Sequence, residues 1–220
     1  MIAEVAIEFL GRGGKRLRPR LCRAVFLACG GKGNLLPVED AVECFHKASL
    51  IHDDIQDGDE ERYGRPTVWK EHGVAVAIAA GDWLVAHGYQ LIAESGFAAA
   101  PEMMRATVKS HVRLCEGQGD ELLAAAKCAG ERPFDPAEYI SVCERKTAEA
   151  FALAAELGAL AAGADPAPFR RYALSYGTLF QICDDMADAD CVAPAALAEL
   201  RRKYEDQTAL YSDECSIGVW

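Results

Sequence analysis

Apolar residues recur at three- and four-residue intervals along nearly the whole chain, and alternating runs of the kind a half-buried strand needs are few. Alanine and leucine dominate these positions. The pattern predicts helices over 2–11, 18–29, 38–57, 70–94, 101–127, 136–163, 167–189 and 195–212. Several are longer than the globular average of about 11–12 residues. Long helices joined by short connections predict an all-α fold, an antiparallel helical bundle. The punctuation agrees. Asp135-Pro136-Ala137-Glu138 supplies an acidic N-cap, a proline at the first helical position and a capping-box glutamate, and Asp165-Pro166 repeats the device. Pro37 and Pro101 open two further helices, while Gly30-Gly31, Gly58, Gly96, Gly130 and Gly163 fall near helix ends. The alanine-rich run 148–164 reads as a helix packed closely against its neighbours.

Composition narrows the class. With 220 residues and 51% hydrophobic content, the chain can bury a substantial core as a single domain over 1–220. A net charge of -11 argues against nucleic acid as the main partner and against anionic membranes. The nine cysteines contain no CxxC pair and sit inside apolar helical patterns. They read as reduced, mostly buried small hydrophobes of a cytoplasmic protein, not as zinc ligands. Met1 to Leu10 carries Glu4 and Glu8 and no basic leader, so no signal peptide is expected. The most apolar stretch, Val74 to Ala80, is too short to span a bilayer, so no transmembrane segment is expected.

Three segments carry chemistry. In Ser49-Leu-Ile-His52-Asp53-Asp54-Ile-Gln-Asp57, helical spacing stacks Asp53 over Asp57 and turns Asp54 aside by about 100°. Like-charged carboxylates at the end of an apolar helix are costly unless a cation lies between them, and oxygen-only donors favour Mg²⁺ or Mn²⁺. One such motif alone is equally well a solvated acidic helix end. The pattern recurs late in the chain, in Gly177-Thr-Leu-Phe180-Gln181-Ile-Cys-Asp184-Asp185-Met-Ala-Asp188. Two DDxxD motifs on separate helices suggest a diphosphate clamped between two acidic walls through bridging metals. The third segment, Arg12-Gly-Gly-Lys15-Arg16-Leu-Arg18-Pro-Arg20-Leu-Cys-Arg23, puts six cations into twelve residues of an otherwise acidic chain. Its glycines let backbone approach a phosphate, and Lys15 and Arg18 can share a face. Alone, this segment would read as a nucleic-acid patch or a solvated basic turn.

The ordered set GGKRLRP (13–19), SLIHDDIQD (49–57), RYGRPTVW (62–69), GD (81–82), GQ (117–118), KTA (146–148) and FQICDDMAD (180–188) resembles the trans-polyprenyl diphosphate synthase family, which includes farnesyl and geranylgeranyl diphosphate synthases. The resemblance covers roughly residues 10–190. It implies a class I isoprenoid synthase bundle with a central cavity. It also implies Mg-dependent, head-to-tail condensation of isopentenyl diphosphate with an allylic diphosphate. By resemblance, Asp53, Asp57 and Asp184 are magnesium ligands, with Asp54, Asp185 and Asp188 in support, Asp188 counting with the metal set. Lys15, Arg18 and His46 resemble the residues that hold isopentenyl diphosphate. Arg62, Lys146 and Gln181 resemble those that grip the allylic diphosphate, and Thr147 lies beside the developing carbocation. Gln118 and Glu121 would line the cavity below the metals. The family sets product length by bulk upstream of the first aspartates. Small Ala48, with Phe45 as the next floor one turn deeper, implies a geranylgeranyl or somewhat longer product.

The chain departs from the family pattern in three places. Tyr63 stands where a second arginine is usual. No glycine-lysine pair follows Asp188. Only twelve residues precede Gly13-Gly14, so the chain reads as shortened at both ends. Missing terminal helices would expose apolar surface, which implies a homodimer or a partner subunit. Two other functions stay open beside the synthase: a non-catalytic or weakly active partner subunit of a heteromeric prenyl synthase, and a class I terpene cyclase or prenyltransferase with another acceptor. An acidic metal-binding module is the blandest alternative.

Overall fold

The computed structural model describes the backbone of residues 1–127, 135–188 and 194–215, and the side chains of 1–123, 135–186 and 195–212. Helices dominate: α1 (Ile2–Leu10), α2 (Leu17–Ala28), α3 (Leu36–Asp57), α4 (Val68–His72), α5 (Val74–Ala93), α6 (Ala100–Lys127), α7 (Pro136–Cys143), α8 (Glu149–Ala161), α9 (Ala167–Asp188) and α10 (Pro194–Cys215). α8 lies at the centre of one half, packed against α2, α6 and α9, while α3 packs along α5 in the other half. α10 lies against α9.

The helix faces explain this order. Phe26 of α2, Val38 and Val42 of α3, Ile92 of α5, Met103 of α6 and Leu157 of α8 form one apolar cluster. Phe9, Cys44, Ile51, Ala80 and Leu84 form a second between α1, α3 and α5. Two more join α2, α8 and α9, and α7, α9 and α10. α8 is almost all small and apolar, as the alanine-rich run implied, and Gly158 lies so close to Cys22 that a Cβ there would stand 2.3 Å from the Cys22 carbonyl oxygen. The buried charge of Glu149 is met by Ser110 at 2.6 Å and by Arg170, which donates to both carboxylate oxygens at 2.6 and 2.7 Å. Charge-assisted, bidentate pairing is what makes a buried carboxylate tolerable.

The structure corrects three expectations. The helix expected over 70–94 is broken at Gly73, whose φ of 87° leaves the helical region, so α4 and α5 are separate. The helix expected over 136–163 contains a π-helical turn at Glu144–Ala148 between α7 and α8. A short antiparallel hairpin, β1 (Glu61–Arg62) and β2 (Arg65–Pro66), follows α3 where no strand was expected. Its two turn residues, Tyr63 and Gly64, have φ of 57° and 72°. Positive φ at both positions is the requirement of a type I′ hairpin turn, and tyrosine is an unusual choice there. At the predicted caps, Pro37 opens α3, and Asp165 accepts a hydrogen bond at 3.0 Å from the amide of Ala167. Asp135 is the N-cap of α7 by backbone conformation, without a side-chain hydrogen bond. Gly130 lies outside the described residues.

Candidate active site

α3 ends immediately after its aspartates. Gly58, at φ 74°, adopts the left-handed conformation that stops the helix, and its amide bonds back to the Asp54 carbonyl. Asp57 is therefore the last helical residue, and the second motif occupies the last described turn of α9, up to Asp188. The first carboxylate group thus stands at a helix C-terminus, where unpaired carbonyls already carry partial negative charge. Such an end favours a cation.

Neighbouring aspartates have different surroundings. Asp54 is 0% exposed and is held by the Arg62 guanidinium at 2.5 Å. Burial raises its pKa, which the Arg62 hydrogen bond and charge counter. Asp53 turns to the other side, half-buried, where burial pushes its pKa up to about 6, Lys146 opposes that rise and the neighbouring Asp57 adds to it. Asp57 is exposed. In the second motif Asp184 is exposed, whereas Asp185 accepts hydrogen bonds from Tyr139 at 2.5 Å and Gln181 at 2.7 Å. The side chain of Asp188 lies outside the described residues.

Lys146 joins the two walls. It is paired with Glu121 and is raised in pKa by hydrogen bonding and charge from Glu121, with Asp53 and Asp57 adding to the rise against the cost of burial. It also lines one cleft with Glu121, Tyr139, Thr147, Gln181 and Asp185. Thr147 donates to Gln181 at 2.7 Å, so Thr147, Gln181, Asp185 and Tyr139 form a continuous hydrogen-bonded chain. Lys146 and Thr147 sit in the π-helical turn, a distortion that often marks functional positions. Glycines on both flanks make the turn possible at close quarters. A Cβ on Gly117 of α6 would stand 2.7 Å from the Arg145 carbonyl carbon, and one on Gly177 of α9 would stand 2.6 Å from the Ala148 Cα. Gln118, next to Gly117, donates to Gln56 of α3 at 2.8 Å.

Arg18 of the cationic segment packs between α3 and α8. Arg18 donates to His46 at 3.3 Å and lies 4.4 Å over the Phe151 ring. Burial lowers Arg18 to about 10, and burial together with Arg18, Lys47 and Arg62 lowers His46 to about 2, so His46 is a neutral hydrogen-bond partner. Lys15 is exposed on the loop before α2. Not all six cations converge: Arg12 is buried and spent on Glu8, Glu71 and the Pro66 carbonyl, and Arg23 is paired with Glu39.

Of the two chain-length positions, Ala48 is 1% exposed within the packing of α1, α3 and α5. Phe45 instead meets Tyr89 and His111 edge to face, with centroids 5.3 and 4.3 Å away, and those two share a 2.7 Å hydrogen bond. Sequence reasoning missed Tyr139, Tyr89 and His111. Each lies on another helix with no local motif around it, so only tertiary structure pairs them with the site.

Among the described residues, no three of Asp, Glu, His and Cys converge as an all-protein metal cage would require. Magnesium does not need one, because it keeps waters and completes its shell with substrate phosphates. The donors present, Asp53, Asp57 and Asp184, are carboxylate oxygens, and they fit that hard cation.

Comparison with known proteins identifies the family. The chain is 37% identical over 181 residues to the geranylgeranyl diphosphate synthase of Mycobacterium tuberculosis, covering 80% of this chain and 51% of that protein. It is 36% identical over 191 residues to the farnesyl diphosphate synthase of Geobacillus stearothermophilus, covering 82% of this chain and 64% of that protein. It therefore spans about half to two-thirds of the length of these relatives. Its fold superposes on the crystal structure of an FPP/GFPP synthase from Zymomonas mobilis with a TM-score of 0.83, at 28% identity, over 97% of this chain and 84% of the other. The polyprenyl synthetase family model matches residues 1–196, and the chain belongs to that family.

Proposed function

We propose that this chain condenses isopentenyl diphosphate with an allylic diphosphate, head to tail, to give a longer (E)-prenyl diphosphate of geranylgeranyl length or somewhat more. The observation that carries the reading is the meeting of two aspartate-bearing helices with Lys146, Thr147 and Gln181 around one cleft, with the Arg18–His46 pair on α2 and α3. Magnesium, held by Asp53, Asp57 and Asp184, would supply Lewis-acid stabilisation of the leaving diphosphate. The protein's own residues do the rest. Lys146 and Arg62 place fixed positive charge where the departing diphosphate gains negative charge. The Thr147 hydroxyl, oriented by Gln181, lies where an allylic cation would develop. Lys15, Arg18 and neutral His46 hold the second diphosphate with charge and hydrogen bonds. Phe45, pinned by Tyr89 and His111, forms the floor that limits chain length. A homodimer or a partner subunit completes the assembly.

A second reading, a partner subunit that supports a catalytic chain, is favoured by Tyr63, which is 43% exposed where an arginine contact to the isopentenyl diphosphate is expected. Both are tested by giving the purified protein isopentenyl diphosphate with dimethylallyl, geranyl or farnesyl diphosphate, with and without Mg²⁺, and reading products by mass spectrometry. Mg-dependent lengthening is the expected result. Binding without turnover would favour the partner subunit, and hydrocarbon or free diphosphate without lengthening would favour a cyclase or another acceptor.

A further inference from the structure

Lys47 is fully buried, at 0% exposure, yet no carboxylate holds it in a hydrogen bond. Its ammonium donates instead to two consecutive backbone carbonyls, those of Arg12 and Gly13, the latter at 3.1 Å. A peptide unit is planar and trans, so its N–H points opposite to its C=O. Drawing both carbonyls towards Lys47 therefore turns the N–H groups of Gly13 and Gly14 away from it, on the strand of backbone that leads to Lys15. Successive amides presented in this way make a backbone concavity suited to an anion.

The ring of Tyr63 closes the other side. Its face lies 4.4 Å from the Lys47 ammonium, within the range of cation–π attraction. It also packs onto Gly13, where a Cβ would come within 2.8 Å of the Tyr63 Cγ. Gly13 and Gly14 have φ of 37° and 95°, and Tyr63 itself holds a φ of 57° that a bulky residue adopts at a cost. Three segments thus lock together at Lys47: the loop carrying Lys15, the helix carrying His46 and Asp53, and the hairpin whose Arg62 grips Asp54.

We propose that Lys47 is a positioning residue of the isopentenyl diphosphate subsite, that it fixes the Gly13–Gly14 loop with its amides outward, and that its charge takes the place of the arginine absent at Tyr63. The inference rests on the function proposed above. Lys47 acts through the loop and does not touch the substrate. Tyr63 then completes the subsite, because its ring seats the cation that compensates for it.

Lys47→Met keeps the stem and removes the charge. KM for isopentenyl diphosphate is expected to rise at least about tenfold, because the Gly13 and Gly14 amides are no longer held outward, while KM for the allylic substrate and kcat change by less than about threefold. The double variant Lys47→Met/Tyr63→Arg regains most of that loss, because the charge returns from the hairpin side. Trypsin cleavage after Lys15 and Arg16 accelerates in Lys47→Met. An unchanged KM for isopentenyl diphosphate overturns the proposal, as does an equal loss on both substrates that Tyr63→Arg does not relieve. A wild-type protein that makes no lengthened product overturns the function instead. In that case the trypsin assay decides the Lys47 lock, with unchanged cleavage in Lys47→Met counting against it.

Discussion

At the scale of residues, the first acidic motif divides into a half-buried carboxylate and a fully buried one. Asp53 and Asp54 are adjacent, so helical geometry sends them about 100° apart. Asp53 faces Lys146 and Asp57, and Asp54 faces Arg62 with no exposed surface. Arg62→Met leaves a buried carboxylate without its partner, which costs roughly 3 kcal/mol of stability and is read as a lower denaturant midpoint. Asp53→Asn behaves oppositely. It removes a carboxylate whose charge is disfavoured by burial, so the apo protein keeps or gains stability while turnover is lost. Full activity in Asp53→Asn would remove the metal assignment. His111 offers a separate reading by pH. Burial lowers it to about 4 from an ordinary value of 6.5. As pH falls below 6.5 the unfolded chain takes up a proton that the folded state refuses, so stability declines down to about pH 4 and levels off below. His111→Gln is expected to flatten the slope of Tm against pH in that window, while His46, lowered further, keeps part of it.

At the scale of elements, the bundle was legible because period and punctuation agreed. The ends expected near Gly58 and Pro37 fall where the chain places them, since a left-handed glycine and a proline at the helix start act locally. What was not legible acts at a distance. The π-helical turn at Glu144–Ala148 has no breaker in its sequence, and it is set by Gly117 and Gly177 pressing from two other helices. The hairpin was hidden because its strands are two residues each and Tyr63 is a poor sequence signal for a type I′ turn. The same view separates glycines by consequence. Gly177→Ala drives a methyl into the Ala148 backbone, and overpacking of that kind costs about 1–3 kcal/mol. It also moves Thr147 against Gln181, so kcat falls with Tm. Gly119→Ala, two residues from Gly117 but with open space around its Cβ, gains about 0.5–1 kcal/mol from helix propensity and leaves kcat unchanged. Equal effects in the two variants would show that the π-helical turn needs no close approach.

At the scale of the whole molecule, an acidic protein of net charge -11 carries a dense run of six cations in the segment 12–23 and its carboxylate motifs on α3 and α9. The motifs belong to separate halves of the fold, α3 packing with α5 and α9 with α8 and α10. In the proposed function, a cation with a diphosphate between the motifs would contribute positive charge and tie the halves together. Binding to the folded state alone adds stability by mass action, about 2.7 kcal/mol when the free ligand is a hundred times its Kd. For a chain of this size each kcal/mol moves Tm by about 2–4 °C, so saturating Mg²⁺ with inorganic diphosphate is expected to raise Tm by about 5–11 °C. Because neither component fills both roles, Mg²⁺ alone or diphosphate alone should give less than half of that shift. The comparison is made by calorimetry at fixed ionic strength, so that general screening of the acidic surface is held constant. Synergy lost in Asp184→Ala, with the Tm of the free variant unchanged, would locate the bridge at the α9 end. A shift of full size from Mg²⁺ alone would mean that the cation is held by protein carboxylates without the diphosphate, and the two-walled clamp would be wrong.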